Sequence, residues 1–443
     1  MLMPLLSESD PKESAEGSID PLGIYPIADV LASRMVPGVR ERQGHPRFLT
    51  IIAASLSLCG EFDEDEVATD DISEPWQVFE WYVVEGLARA TKDSSLLVGL
   101  PGRDKADRAL ADKVPLSRKR YLKGPRTFGF HGIYRVLARE IGVEAAGRLG
   151  DAGFAILNAW QKEQGLVGFV GSADGPGRSH RQRLIDGIRD GLKSGATNRK
   201  SWGDFFAKHF GIYDAKPMEA SEIRRSLVSD SPSSTAADFR GEVFEALTST
   251  QGQAVWSKQV ESKEFSERRF HEWLLTRASA PLQELLTAIG AYECFCRLLQ
   301  SAFDDCLRYL TLHKQRIKCA ELAELEGVVL AAKKLPDSYS KAIEVLAPIG
   351  LVDRFNNACS CFAQKSQPSD WVEQLLDFHT QVQRDKSRAG KAPWFDRFDD
   401  GSYLIRQGYI REYQPRYDDH YVHAYRTNPL WSFACDLSIV DGE

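Results

Sequence analysis

The chain has 443 residues, of which 43% are hydrophobic and 10% aromatic, and it carries a formal net charge of −7 with a pI near 5.8. That length predicts roughly two to four domains with well-formed cores. The acidic balance excludes a histone-like coat of positive charge, so any nucleic-acid contact has to come from a local patch.

Residues 1–20, opening MLMPLLSESDPKESAEGS, have a brief apolar start without a basic flank or cleavage site, and read as a flexible tail. Order is expected from residue 21. The longest apolar run, Leu49 to Leu58 (LTIIAASLSL), falls well short of the ~20 residues that cross a bilayer, and reads as a buried helix. No membrane partner is expected. Residues 61–74 hold eight acids and no base, which reads as a solvated loop rather than a mimic of nucleic-acid charge. Trp76 to Ala90 has Phe79, Tyr82, Val83 and Leu87 at the spacing of a buried helical stripe.

Charge then reverses sign. Residues 103–126 hold nine Lys/Arg against three Asp, a net of 9 − 3 = +6. After His131-Gly132 a helix is expected to about Glu140, with Ile133, Val136, Leu137 and Ile141 on its buried face and Arg135, Arg139 and Tyr134 opposite. Val143 to Leu149 is a candidate strand, and a second helix is expected over Ala152 to Gln164. The spacing LxxxGxxxLxxW, here Leu149, Gly153, Leu157 and Trp160, resembles the strand-to-helix junction of winged-helix domains of prokaryotic regulators and defence or mobile-element proteins. The resemblance covers about residues 113–169 and implies a DNA-reading module. Glycine-rich residues 165–177 then read as a wing strand with a turn at Ala173-Asp174-Gly175. Arg178 to Lys200 adds seven bases against two acids on a helix whose buried side is Leu184, Ile188 and Leu192.

DSPSSTAA, residues 230–237, is small, polar and proline-punctuated, and reads as the linker between a helical domain over 21–229 and a helical bundle over 238–392. The bundle's expected spine starts at Ala280-Pro281 and continues for about thirty residues, a rod of roughly 45 Å. Further helices are expected at Lys318 to Lys334, Ser338 to Leu346, Val352 to Ala363 and Ser369 to Arg384. Residues 393–443 should form a hairpin turning at Asp399-Asp400-Gly401, and a terminal helix opened by Thr427-Asn428-Pro429. The expected fold is mainly α: a winged-helix-like N-terminal half and a C-terminal helical bundle with a small β-hairpin.

Two groups of side chains are candidate sites. Arg118, Lys119, Arg120, Lys123, Arg126, Arg135, Arg139, Arg178, Arg181 and Arg183 flank the winged-helix-like piece and are the expected DNA contacts, because Lys and Arg supply the phosphate attraction. His379, Lys386, Lys391, Arg411, Arg416, His420 and Arg426 are the anion-binding candidates of the second half. The pairs Cys294/Cys296 and Cys359/Cys361 suggest zinc, but residues two apart on a helix point about 200° apart, so neither pair can clamp one ion. No metal, cofactor or catalytic residue is assigned. Eight scattered cysteines fit a reducing, cytoplasmic setting. No G-x-S-x-G elbow, H-E-x-x-H pair or phosphate-cradling G-x-x-x-x-G-K-[ST] loop occurs. The expected function is a non-enzymatic DNA-binding subunit of a prokaryotic multi-protein system, of the defence or mobile-element kind, that favours duplex DNA and works beside other protein subunits. The alternatives are a helical protein-interaction scaffold without nucleic-acid contact, and a phosphodiester- or nucleotide-acting enzyme with its site in 379–426.

Overall fold

Runs of apolar residues at helical spacing dominate the chain, and helices dominate the fold. A computed structural model describes residues 20–198, 202, 204–213, 215–229, 238–261, 267–386, 390–410 and 420–440. In chain order the first half contains α1 Tyr25–Met35, α2 Phe48–Cys59, α3 Pro75–Ala90, α4 Arg103–Ala111, α5 Pro125–Phe128 and α6 Phe130–Glu140. The hairpin β1 Glu144–Ala145 and β2 Arg148–Leu149 follows, then α7 Asp151–Glu163, α8 Pro176–Ser194, α9 Phe205–Phe210, α10 Pro217–Val228, α11 Arg240–Thr248 and α12 Thr250–Glu261. The second half continues with α13 Glu267–Leu275, α14 Ala280–His313, β3 Ile317–Lys318, α15 Cys319–Leu322, α16 Glu326–Leu346, α17 Val352–Cys359 and α18 Pro368–Asp385. Strands β4 Phe395–Arg397 and β5 Ser402–Ile405 and helix α19 Thr427–Asp436 complete it. No described helix is long and apolar enough to cross a membrane.

The chain divides into two compact units. One, the α2 unit, comprises Ser33–Trp256 and the chain from Arg426 onward; the other, the α14 unit, comprises the chain up to Ala32 and Ser257–Tyr425. The expected linker at 230–237 lies outside the described residues, as do residues 1–19 of the expected tail. The described residues on both sides of that linker belong to the α2 unit. Arg240, fully buried, ties them together by donating to the carbonyls of Leu227 and Ser229, each at 2.8 Å.

Helix α2 is the centre of its unit. Its run from Phe48 to Ser55 is buried without a break, because α3, α6, α7 and α8 all pack on it. The LxxxGxxxLxxW residues are packing residues. A Cβ at Gly153 would stand 2.6 Å from the Val143 carbonyl and 2.7 Å from Leu149, so only glycine lets α7 approach the hairpin this closely. Leu157 and Trp160 are fully buried, and the Trp160 indole donates to the His209 carbonyl at 2.9 Å.

Two expectations fail here for local reasons. The expected wing has no strand over residues 165–175: Gly165, Gly168 and Gly171 all hold positive φ, and a left-handed residue at every third position curls the chain. Tyr134 sits not with the arginines of α6 but in its buried stripe with Phe130, Leu137 and Ala138, where its hydroxyl accepts the His45 N–H at 2.8 Å. Val136 takes the outward position instead, 40% exposed.

In the α14 unit the expected spine forms as α14, packed lengthwise along α16. The two helices expected either side of Pro336 are one helix, α16, with the proline buried inside it. A proline costs the helix one hydrogen bond. Here burial of Val328, Ala331, Leu335, Tyr339 and Ala342 along one face outweighs that loss. The hairpin forms with Phe395 opposite Ile405 and Arg397 opposite Tyr403, and Asp400 accepts from the Ser402 N–H and hydroxyl to close its turn. Strand β3 adds to β5 as a third antiparallel strand, in the order β3-β5-β4, which local patterning did not reveal.

Candidate functional site

The basic segment between α4 and α6 is held in place by acids of α3. Two glutamates of that helix are buried, Glu80 fully and Glu85 almost so. Glu85 accepts from the Leu116 N–H at 3.0 Å and the Thr197 hydroxyl at 2.5 Å. Glu80 accepts from the Tyr121 hydroxyl at 2.7 Å and from the His131 N–H at 3.0 Å, where it satisfies an orphan donor in the first turn of α6. Burial pushes the Glu80 carboxyl up to about 7, against the pull of those two donors. The backbone is thus pinned at 116, 121 and 131. Between the pins, Arg118, Lys119 and Arg120 form one exposed turn, and exposed Lys123 follows it.

The candidate cations divide into two groups. Arg126 pairs with Glu74. Arg135 and Arg139 both bond Glu144, at 3.2 Å and 2.9 Å, and Glu144 is itself buried. Arg178 bonds Asp174 at 2.7 Å. Arg181 is the most engaged, donating to the Ser57 hydroxyl at 2.7 Å, the Ser57 carbonyl at 2.8 Å and Glu61 at 2.8 Å, so that it caps the C-terminal end of α2. Arg183 lies over the Trp202 ring at 5.7 Å. Arg118 feels the charge of Asp70, helping to hold that carboxyl below its usual range. Among the described residues, Lys119, Arg120 and Lys123 have no acidic partner. Three acids of the acidic loop meet arginines of the basic segments and their neighbours: Glu61 with Arg181, Glu74 with Arg126 and, at 3.9 Å, Glu64 with Arg148.

The anion candidates of the second half do not converge. Arg411 and Arg416 lie outside the described residues, and Arg426 belongs to the α2 unit while the others belong to the α14 unit. His379 is fully buried; its Nδ1–H donates to the Pro21 carbonyl at 2.8 Å and its Nε2 accepts the Trp394 N–H at 3.0 Å. Both nitrogens are occupied, and burial drives its pKa down to about 3, so it offers an anion neither charge nor donor. Lys386 donates to the Asp20 carbonyl, and burial lowers its pKa. His420 gives its carbonyl to Arg297 at 2.9 Å. Arg426 is buried beside Glu41. On the wall of a charged hollow of about 830 Å³ beside the hairpin, Arg397 bonds Asp377 and Glu373 and Arg406 bonds Asp396 at 2.9 Å, while exposed Arg384 has no ion pair among the described residues.

Each Cys-x-Cys pair splits, with Cys296 and Cys359 buried and Cys294 and Cys361 exposed; the first pair lies within α14, while the second spans the end of α17 and the 3-10 turn at Ser360–Phe362. Sequence reasoning passed over the buried ion pair of Arg47 with Glu219, joined at 3.1 and 3.3 Å and completed by the Thr50 hydroxyl at 2.6 Å. Its partners lie 172 positions apart, and no local pattern announces them. Comparison of the chain with protein-family models, with curated proteins and with solved structures finds no match to any of them.

Proposed function

We propose that the chain is a non-enzymatic nucleic-acid-binding subunit whose contact is the exposed turn Arg118–Lys119–Arg120 with Lys123. One observation carries the reading: this turn is anchored from beneath by buried carboxylates, and three of its four cations have no acidic partner among the described residues. A rigid backbone presenting unengaged cations suits phosphate contact, which supplies affinity and register without reading sequence. The winged-helix resemblance does not carry the reading, since its signature residues are taken up in packing. Work beside catalytic partners, in a prokaryotic defence or mobile-element setting, remains part of the proposal.

The test is duplex binding by the full chain at two salt concentrations. Converting Lys119, Arg120 and Lys123 to Glu should weaken binding at least about ten-fold at low salt and reduce the salt slope by about three. Arg139→Glu, at a side chain already engaged by Glu144, should change binding far less. Equal affinity of the triple variant and the parent would overturn the proposal. A second reading, a helical interaction scaffold without nucleic-acid contact, is favoured by the engagement of Arg126, Arg135, Arg139, Arg178 and Arg181 with acids. It predicts no salt-dependent duplex binding by the parent.

A further inference from the structure

The α14 unit contains a cleft of about 730 Å³ between α13, α14 and α16, closed at one side by His420 and Tyr421. That volume lies within the range of roughly 300–1,000 Å³ typical of small-molecule sites. Its inner wall is apolar: Leu275, Leu286, Leu298 and Leu330 line it, with Gly290 and Ala291 of α14 between them. A Cβ built on Gly290 would meet no atom within 4 Å. Glycine in mid-helix costs about 0.5–1 kcal/mol relative to alanine, so here the helix gives up stability and leaves the space open.

Polar groups on this wall are of two kinds. Glu293 is enclosed by the Tyr425 hydroxyl at 2.8 Å, the His423 ring at 2.6 Å and the Val422 N–H. Arg268 pairs with Glu272 at 2.8 Å, and Arg297 donates to the carbonyls of His420 and Tyr421. Those groups are held by the protein. His271 is not. It is 2% exposed, neither ring nitrogen has a hydrogen-bond partner among the described residues, and Glu267 stands 4.0 Å from Nε2, beyond hydrogen-bonding reach. A buried polar group left unsatisfied costs about 1–3 kcal/mol, and both His271 nitrogens lie beneath the surface of the cleft. On the rim, Lys334 and Lys341 stand two turns apart on one face of α16, exposed and without an ion pair among the described residues. Asp337 lies between them, turned to Lys365 at 3.9 Å.

We infer that this cleft binds a small organic anion, with its apolar body against Leu286, Leu298 and Gly290 and its charge toward Lys334 and Lys341. The rim selects the sign of the ligand's charge, and the leucines supply the affinity.

Isothermal titration of the full chain with decanoate and with decylammonium, both below their micelle concentrations, tests the inference. Decanoate should bind at least about ten-fold more tightly, because the two ligands differ only in the charge presented to the lysines. Gly290→Leu should fill the open space and weaken decanoate at least about ten-fold, with a melting temperature at or above the parent's. Lys334→Glu with Lys341→Glu, at two exposed positions, should reverse the preference toward decylammonium; this variant decides the matter if Gly290→Leu does not fold. Absence of decanoate binding, equal binding of the two ligands, or a double reversal that leaves the preference unchanged would each overturn the assignment.

Discussion

The two units handle polarity in opposite ways. In the α2 unit, the arginines that make the sequence look like a binding surface are mostly engaged, Arg181 by Ser57 and Glu61 and Arg135 and Arg139 by Glu144, and the buried Arg47 is likewise engaged by Glu219. In the α14 unit, a buried histidine beside a cleft has no hydrogen-bond partner among the described residues. The difference teaches that charge density along a chain is a poor guide to a site. Positive charge is informative where its partners are missing, as at Lys119, Arg120 and Lys123, and buried polarity is informative where it is unsatisfied, as at His271.

The sharpest way to break the comparison is to remove an engaged charge. Arg47→Ala would leave Glu219 in the core with only Thr50 to stabilise it, and should cost about 3–5 kcal/mol, since an uncompensated buried charge is far more expensive than the pair is favourable. Urea unfolding would show it as a lower midpoint. A loss under about 1 kcal/mol would mean that the α2 unit does not depend on its internal pairs. Next in size is His379→Leu, which removes the acceptor of the Trp394 N–H and one of the two donors to the Pro21 carbonyl, the Gln383 amide at 3.2 Å remaining, and should cost about 1–3 kcal/mol by the same measurement.

Much of this architecture is legible from local pattern. The buried helix over Leu49–Leu58, the long spine from Ala280, the turn at Asp399-Asp400-Gly401 and the alternation within each Cys-x-Cys pair all depend on residues a few positions apart, where period and turn chemistry act directly. What stayed hidden depends on distant partners. Glu80 and Glu85 interrupt a stripe that otherwise reads as core, and only the arrival of Leu116, Tyr121 and His131 explains them. The engagement of the basic segments by Glu61 and Glu74 is equally non-local, so the charge map was visible while its neutralisation was not. The cleft left even less trace, because His271, Gly290 and Lys334 belong to three different helices, each unexceptional on its own.

His271→Leu inverts the expectation usually attached to a buried residue. Because neither nitrogen is bonded, no partner is stranded by its removal, and an apolar side chain of similar size should stabilise the fold by about 1 kcal/mol near pH 8. The gain should grow in acid. Burial drives the His271 pKa down to about 3, below the ordinary value of 6.5, so between those limits the unfolded chain binds a proton that the folded chain refuses. Folding stability therefore falls as pH drops from 6.5 toward 3, by up to about 1.4 kcal/mol per pH unit for this one group, and leucine abolishes that share. Thermal melts of parent and variant at pH 8 and pH 5 should diverge at the lower pH. A variant less stable than the parent at both would show that the protein itself satisfies His271, and the contrast between the two units would lose its main support.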